Sequence, residues 1–215
     1  MSVYQESIGE CGLHCFGSIS ASVSHELKNA LAIINENAGL LEDLSFMAEK
    51  GLPLDPARLK GLAANIARQI QRADGIIRNM NRFAHSADEA MKCIDLGDTL
   101  ALILALSSRL AAMKSVTLNF IPPPQPICVT TRLFYFENLL WLCLKEIFER
   151  AGVEKEITLS LRPLPEGAAV IFSPVDIPIT VGGAIDLLIY LKATQSADSQ
   201  CRELRITLPF DTTSC

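Results

Sequence analysis

Gly51-Leu52-Pro53-Leu54-Asp55-Pro56 splits the first ninety residues into two long periodic stretches, and that split decides the fold. Before it, Phe16, Ile19, Val23, Leu27, Ala30, Ile34, Leu41 and Leu44 follow a heptad-like course from about residue 16 to Lys50. Such a course is the seam of a helix packed in a bundle. After it, Asp55 offers a helix N-cap with Pro56 at the first helical position, a strong restart signal. A second seam then runs through Leu59, Leu62, Ile66, Ile70, Ala73, Ile77 and Met80 and ends near His85-Ser86. Two long helices on a short loop form an antiparallel hairpin. One hairpin lacks the surface to bury both seams, so the expectation is a homodimer in which two hairpins make a four-helix bundle.

Beyond Ser86-Ala87-Asp88-Glu89 the texture changes. Helix patterns cover Gly97–Met113, Arg132–Ala151 and Gly183–Lys192, and strand patterns cover Val116–Ile121, Ile127–Thr130, Glu156–Arg162, Ala168–Phe172 and Glu203–Leu208. Proline turns at Pro122–Pro124 and Pro163–Pro165 punctuate them. The pattern predicts an α/β sandwich, helices on one face of a mixed sheet. The class is α+β, with a helical-hairpin domain over 1–90 and a sandwich over 91–215.

Composition narrows the classes. Of 215 residues 49% are apolar, which excludes disorder, and a net charge of −5 gives no global case for nucleic-acid binding. Leu100–Leu106 and Leu139–Leu144 are far shorter than the roughly 20 residues of a membrane span. Met1–Glu10 has neither the basic start nor the apolar core of a signal peptide. The expectation is a cytoplasmic chain with no membrane and no nucleic-acid partner. The seven cysteines are odd in number and scattered, which suits reduced thiols. Cys11, His14 and Cys15 have some metal-ligand flavour, but no second ligand pair accompanies them. They read as a helix start with buried thiols, and no metal is expected.

The chemistry sits on Ser24-His25-Glu26-Leu27-Lys28-Asn29-Ala30-Leu31. With Val23, Leu27, Ala30 and Ile34 on the seam, His25 falls on a polar, small-residued stripe with Ser18, Ala21, Ser22, Lys28, Asn29, Ala32 and Glu36. A core histidine would sit on the seam; the rival reading is an ordinary exposed helix histidine, which the Ser-His-Glu-Leu-Lys-Asn context and the hairpin disfavour. Neutral imidazole is a good nucleophile near pH 7, its reference pKa being about 6.5. Glu26 can take the proton of the other ring nitrogen and hold the tautomer. Asn29, one turn on, can position a water, and Lys28 with Arg78 or Arg82 of the facing helix can offset phosphoryl charge. Residues 57–86 carry a net +5 and residues 16–50 a net −3, most of it solvating outer faces.

The run resembles the phosphoacceptor box of two-component sensor histidine kinases in its Ser-His-Glu-x-Lys/Arg-Asn form, with Ala30 where that family usually has proline. The resemblance implies a C-terminal ATP-binding sandwich. Phe136–Ala151 looks like the helix that normally holds two asparagines for magnesium and phosphate, yet those positions read Leu142 and Glu146. Where Asp-x-Gly-x-Gly is implied, the chain has Asp176-Ile177-Pro178, and Thr180-Val181-Gly182-Gly183 leaves almost no chain for a nucleotide lid. Gly182-Gly183 reads as a helix start.

The expectation is therefore similar to the dimeric histidine phosphotransferases of bacterial phosphorelays. His25 would shuttle a phosphoryl group between receiver aspartates without ATP, helped by Glu26, Lys28 and Asn29. Its partners would be response-regulator receiver domains, with a hybrid histidine kinase as a further candidate. It would hold no cofactor of its own, the Mg²⁺ coming with the receiver. The alternatives are a response-regulator phosphatase using Asn29, and a non-catalytic dimer regulating a kinase or receiver.

Overall fold

The computed structural model describes residues 3–150, 155–175 and 182–210. They gather into two compact units, one over 20–81 and one that joins the residues before 20 to those after 81. The hairpin-then-sandwich order holds, and the class is α+β.

The hairpin unit lies within α1 (Val3–Glu49) and α2 (Pro56–Ala84). The Asp55 carboxylate accepts the Ala57 N–H at 2.9 Å, so the cap and the proline at the first helical position act as read. Gly51, at φ +81, closes the end of α1 in a conformation where a side chain would be strained. Val23, Ala30, Leu44 and Leu62 are buried on the seam. The seam also contains a polar residue, Asn37, whose amide donates to the Ile33 carbonyl at 2.7 Å and accepts from Asn65 across the hairpin at 3.4 Å.

α1 begins well before the expected residue 16. The reason is a stripe of small and apolar residues, Ile8, Gly12, Cys15 and Ile19, which is buried in the second unit. A Cβ on Gly12 would come within 3.1 Å of the Phe134 ring, and one on Gly183 within 2.9 Å of Cys11 Sγ. Backbone therefore approaches side chain at both glycines, and Phe16 stacks on Phe83 at 5.8 Å. His14 is exposed while Cys15 is buried, so the cysteine-histidine cluster sits inside a helix and not at a helix start.

After α2 comes a single 3₁₀ turn, His85–Ala87, and then β1 (Lys92–Asp95), α3 (Leu96–Met113), β2 (Thr117–Ile121), β3 (Cys128–Thr131), α4 (Leu133–Arg150), β4 (Glu156–Leu164), β5 (Gly167–Ser173), α5 (Gly182–Tyr190), β6 (Thr194–Asp198) and β7 (Glu203–Pro209). The main sheet has the order β2-β4-β5-β7-β6, parallel only between β2 and β4, and β1 pairs with β3 in a separate ribbon. The mixed sheet is as expected. β1 and β6 were not anticipated, because Lys92-Cys93-Ile94-Asp95 is short and Thr194-Gln195-Ser196-Ala197-Asp198 is a polar edge strand without apolar alternation. Pro163 is in β4 and not in a turn. β2 ends opposite Ser160, so the strand beyond has an open edge that tolerates it.

Register explains the core. Leu159, Phe172 and Leu204 lie side by side, as do Leu161, Val170 and Ile206, which aligns one apolar face across three strands. Phe136, Leu139, Leu140, Cys143 and Leu144 of α4 and Leu96, Leu100 and Ile103 of α3 are buried with them. Each large side chain contributes about 1.5–3 kcal/mol by leaving water. Gly167 is required where β5 meets β7, since a Cβ there would fall 2.1 Å from the Leu208 carbonyl oxygen. Asp95 caps α3 by accepting the Gly97 N–H at 2.7 Å. By length and composition α3 would also pass as a membrane span; 44% of it is buried here.

One cysteine expectation fails. Cys11, Cys15, Cys128, Cys143 and Cys201 are free thiols, but Cys93 is disulfide-bonded.

Candidate functional site

The site is built on α1 of the hairpin unit. His25, Lys28 and Asn29 are exposed, as are Ala21, Ala32 and Glu36 along the same stripe, while Ser22 is buried beside it. Spacings of three and four residues put Lys28 and Asn29 one turn beyond His25 on the same face. α1 runs unbroken through Ala30, which is fully buried. Alanine keeps the N–H that proline would remove, so the helix needs no kink here.

Glu26 is placed differently. Its side chain is only 12% exposed, on the buried seam between Ser22 and Ala30, and its Oε2 is 3.7 Å from Nη2 of Arg72 on α2. A carboxylate on a seam has lost much of its water and needs a counter-charge. That counter-charge comes from Arg72, a residue the sequence reading did not single out.

Two contacts fix the hairpin register. Paired positions add to 98 at Glu26–Arg72 and to 102 at Asn37–Asn65, so positions 73–77 lie level with His25. Arg78 lies within a turn of that level, with its guanidinium on the Asp74 carboxylate at 2.5 Å. Arg82 does not belong to this site. It lies in the other unit, where its charge acts on Glu137 of α4. Counting from the loop missed this because it gives level but not which face each arginine takes.

The positions that the resemblance assigns to nucleotide binding lie in the second unit. Leu142 of α4 is half-buried, its Cδ1 within 3.9 Å of the Cβ position of Gly183. Glu146 is buried and ion-paired with Arg150 one turn on. One turn before Leu142, Asn138 is fully buried with neither amide atom hydrogen-bonded, its Nδ2 only 3.6 Å from the Cβ position of Gly12. Beside it Glu137 is 1% exposed, and burial pushes its carboxyl up to about 8 against the opposing pull of Ser86 and Arg82. These side chains do not fit an ATP phosphate and its magnesium: one is apolar, one is neutralised, and two are buried beneath α1. The Asp176–Pro178 and Thr180–Val181 segments lie outside the described residues, and Gly182 opens α5 as read. Among the described residues no cluster of histidine, cysteine and acid converges as a metal site.

Comparison with known proteins places the hairpin. Residues 17–89, about a third of the chain, match the family model of the His Kinase A (phospho-acceptor) domain. The match shows a phospho-acceptor domain of this kind over the hairpin alone. No curated protein sequence matches. Among solved structures, Acinetobacter baumannii histidine kinase AdeS is 11% identical at a TM-score of 0.47, over 87% of this chain and 98% of that one. The ATP binding domain of PrrB from Mycobacterium tuberculosis is 11% identical at 0.49, over 58% and 100%. The histidine kinase domain of the E. coli osmosensor EnvZ is 13% identical at 0.45, over 59% and 93%. Likenesses at these scores decide nothing about function.

The family match corrects one expectation. A relay phosphotransferase that shuttles between receivers without ATP was inferred from what the second half lacks. The hairpin instead matches the His Kinase A (phospho-acceptor) domain, which overturns that expectation.

Proposed function

We propose that this chain is a histidine-kinase protein of two-component signalling in which His25 is the phosphoacceptor. The observation that carries this is the open His25 stripe inside a segment matching a phospho-acceptor domain. A ring nitrogen of His25 attacks phosphorus, the new P–N bond forms as the donor's P–O bond breaks, and the proton on the other nitrogen is held by a carboxylate. Glu26 is that carboxylate. In the second step the P–N bond breaks in favour of an aspartate oxygen on a response-regulator receiver, whose own Mg²⁺ stabilises the spreading charge. Lys28 and Asn29, one turn along, face the incoming receiver and offset or orient its phosphate.

The working form is a homodimer. Leu31 is 61% and Ile70 55% exposed, and the register sets them at one level of the hairpin. Such a face is what a second hairpin covers in a four-helix bundle. The finer part of the proposal is that the sheet unit contributes little ATP chemistry of its own, because Leu142, Glu146 and the buried Asn138 do not fit the nucleotide. ATP then reaches His25 through a kinase domain on a partner.

The test is acid-labile labelling from ATP, with and without histidine kinases of the same genome, followed by transfer to purified receivers. Label that needs a partner kinase and vanishes in His25→Ala supports both parts. Label from ATP alone keeps His25 and overturns the finer part. Label that survives His25→Ala overturns the proposal.

A further inference from the structure

We propose that the sheet unit carries a binding site for a small organic anion, a carboxylate or phosphomonoester on a flat apolar body, with Arg132 as its principal binding residue. The site goes beyond the chemistry at His25 and does not depend on it.

Arg132 stands at an unfavourable place. Its carbonyl accepts the Phe136 N–H at 3.0 Å, the first helical bond of α4, so it occupies the N-cap. That position favours a short polar side chain, and the positive end of the helix dipole disfavours a cation. The first turn of α4 contains no acid to offset the charge. Among the described residues no carboxylate lies within ion-pair distance of Arg132. The side chain is held by Tyr190 of α5, its guanidinium carbon 4.3 Å from the ring centroid, and Tyr135 packs edge-on against that ring at 5.0 Å. Stacking engages the flat face of a guanidinium and leaves its N–H edges unspent, the part that grips a carboxylate or phosphate through two bonds.

Arg132 and Tyr190 line a cleft of about 200 Å³ together with Thr131, Lys192, Leu208 and Phe210, and none of its lining residues is acidic. Leu208 is buried at 1% exposure and gives the cleft an apolar wall. Lys192 adds a second cation. It sits at φ +54, the left-handed position that closes α5 and where glycine is usual. There its charge also complements the C-terminal dipole of α5, a return that the N-terminus of α4 does not offer Arg132. Asp88 and Glu89 line a neighbouring cleft that shares Arg132, but their carboxylates are engaged by His85 at 2.8 Å and Lys92 at 3.3 Å.

Size limits the ligand. An apolar cavity of about 150 Å³ holds one benzene, so this cleft takes a single ring or a body of that size with an anionic head.

The experiment titrates the full chain by calorimetry and NMR with benzoate and with phenyl phosphate, which separate a carboxylate ligand from a phosphate one. Inorganic phosphate and benzyl alcohol each supply half of the ligand. At least one of the two aryl anions should bind with a Kd of about 1 mM or tighter, and both halves at least about tenfold more weakly. Shifts should centre on Thr131, Tyr190 and Leu191. Arg132→Ser installs a favoured N-cap, so it should keep or raise the melting temperature while weakening binding at least about tenfold. Lys192→Gly takes the same backbone conformation without strain and should weaken binding about threefold. Neither aryl anion bound at about 10 mM, shifts centred elsewhere, or wild-type affinity in Arg132→Ser overturns the site. Wild-type affinity in Lys192→Gly overturns the lysine's part in it.

Discussion

The two units treat polar residues in opposite ways. In the hairpin, His25, Lys28 and Asn29 stand in the open and Glu26 is held at the seam by an arginine from the facing helix. In the sheet unit, Glu137 and Asn138 are enclosed, and Glu137 Oε2 and both Asn138 amide atoms lack hydrogen-bond partners. The first arrangement keeps groups charged and reachable, which chemistry requires. The second spends stability on groups that cannot reach solvent. A helix rich in acid and amide is therefore not by itself a site; exposure and a counter-charge make the difference.

That contrast can be broken at several points. The largest effect is expected at His25, where His25→Ala should abolish acid-labile label while the melting temperature stays within a degree or two, because the side chain touches solvent. A substitution of the opposite kind, Phe172→Ala, removes a fully buried ring between Leu159 and Leu204. It should cost about 3–5 kcal/mol in chemical denaturation of the sheet unit.

Glu137 gives a pH signature. Its carboxyl is raised from 4.5 to about 8 in the fold, so between those values the folded state holds a proton that the unfolded state has released. Stability should therefore fall as pH rises through this window, by up to about 1.4 kcal/mol per unit, and level off above the upper value. Glu137→Gln should flatten that slope in urea titrations at several pH values. A slope equal to wild type would mean that another group carries the proton.

The smallest effect is expected at Asn37. Asn37→Leu should raise hairpin stability by about 1 kcal/mol, since it exchanges a seam amide for an apolar side chain. It should also loosen the register that sets α2 against His25. Disulfide trapping of cysteine pairs placed along the two helices would show one partner per position in wild type and several in the variant.

Much of this was legible because it is local. The Asp55-Pro56 restart, much of the heptad seam and most of the polar stripe through His25 depend on residues within a turn or two of each other and stand where they were read, while Ile70 and Ile77 of the seam are exposed and Ser22 of the stripe is buried. The helices and central strands of the second unit were legible for the same reason. β6 was not, because a polar edge strand owes its existence to its neighbour β7 and not to its own pattern. The start of α1 was misjudged because Gly12 and Cys11 look like weak helix residues until α4 and α5 provide the surfaces that need small groups. The partner of Glu26 was missed because facing helices exchange side chains by rotation as well as by level.

The sequence by itself determined that a hairpin would form and that His25 would lie on its open face, since helical periodicity sorts residues to seam or solvent before any partner is present. Only the tertiary structure decided which arginine compensates Glu26 and that Glu137 and Asn138 are enclosed. Burial and ion pairing are properties of residues brought together from distant parts of the chain. They follow from packing angle and depth, which no local pattern encodes.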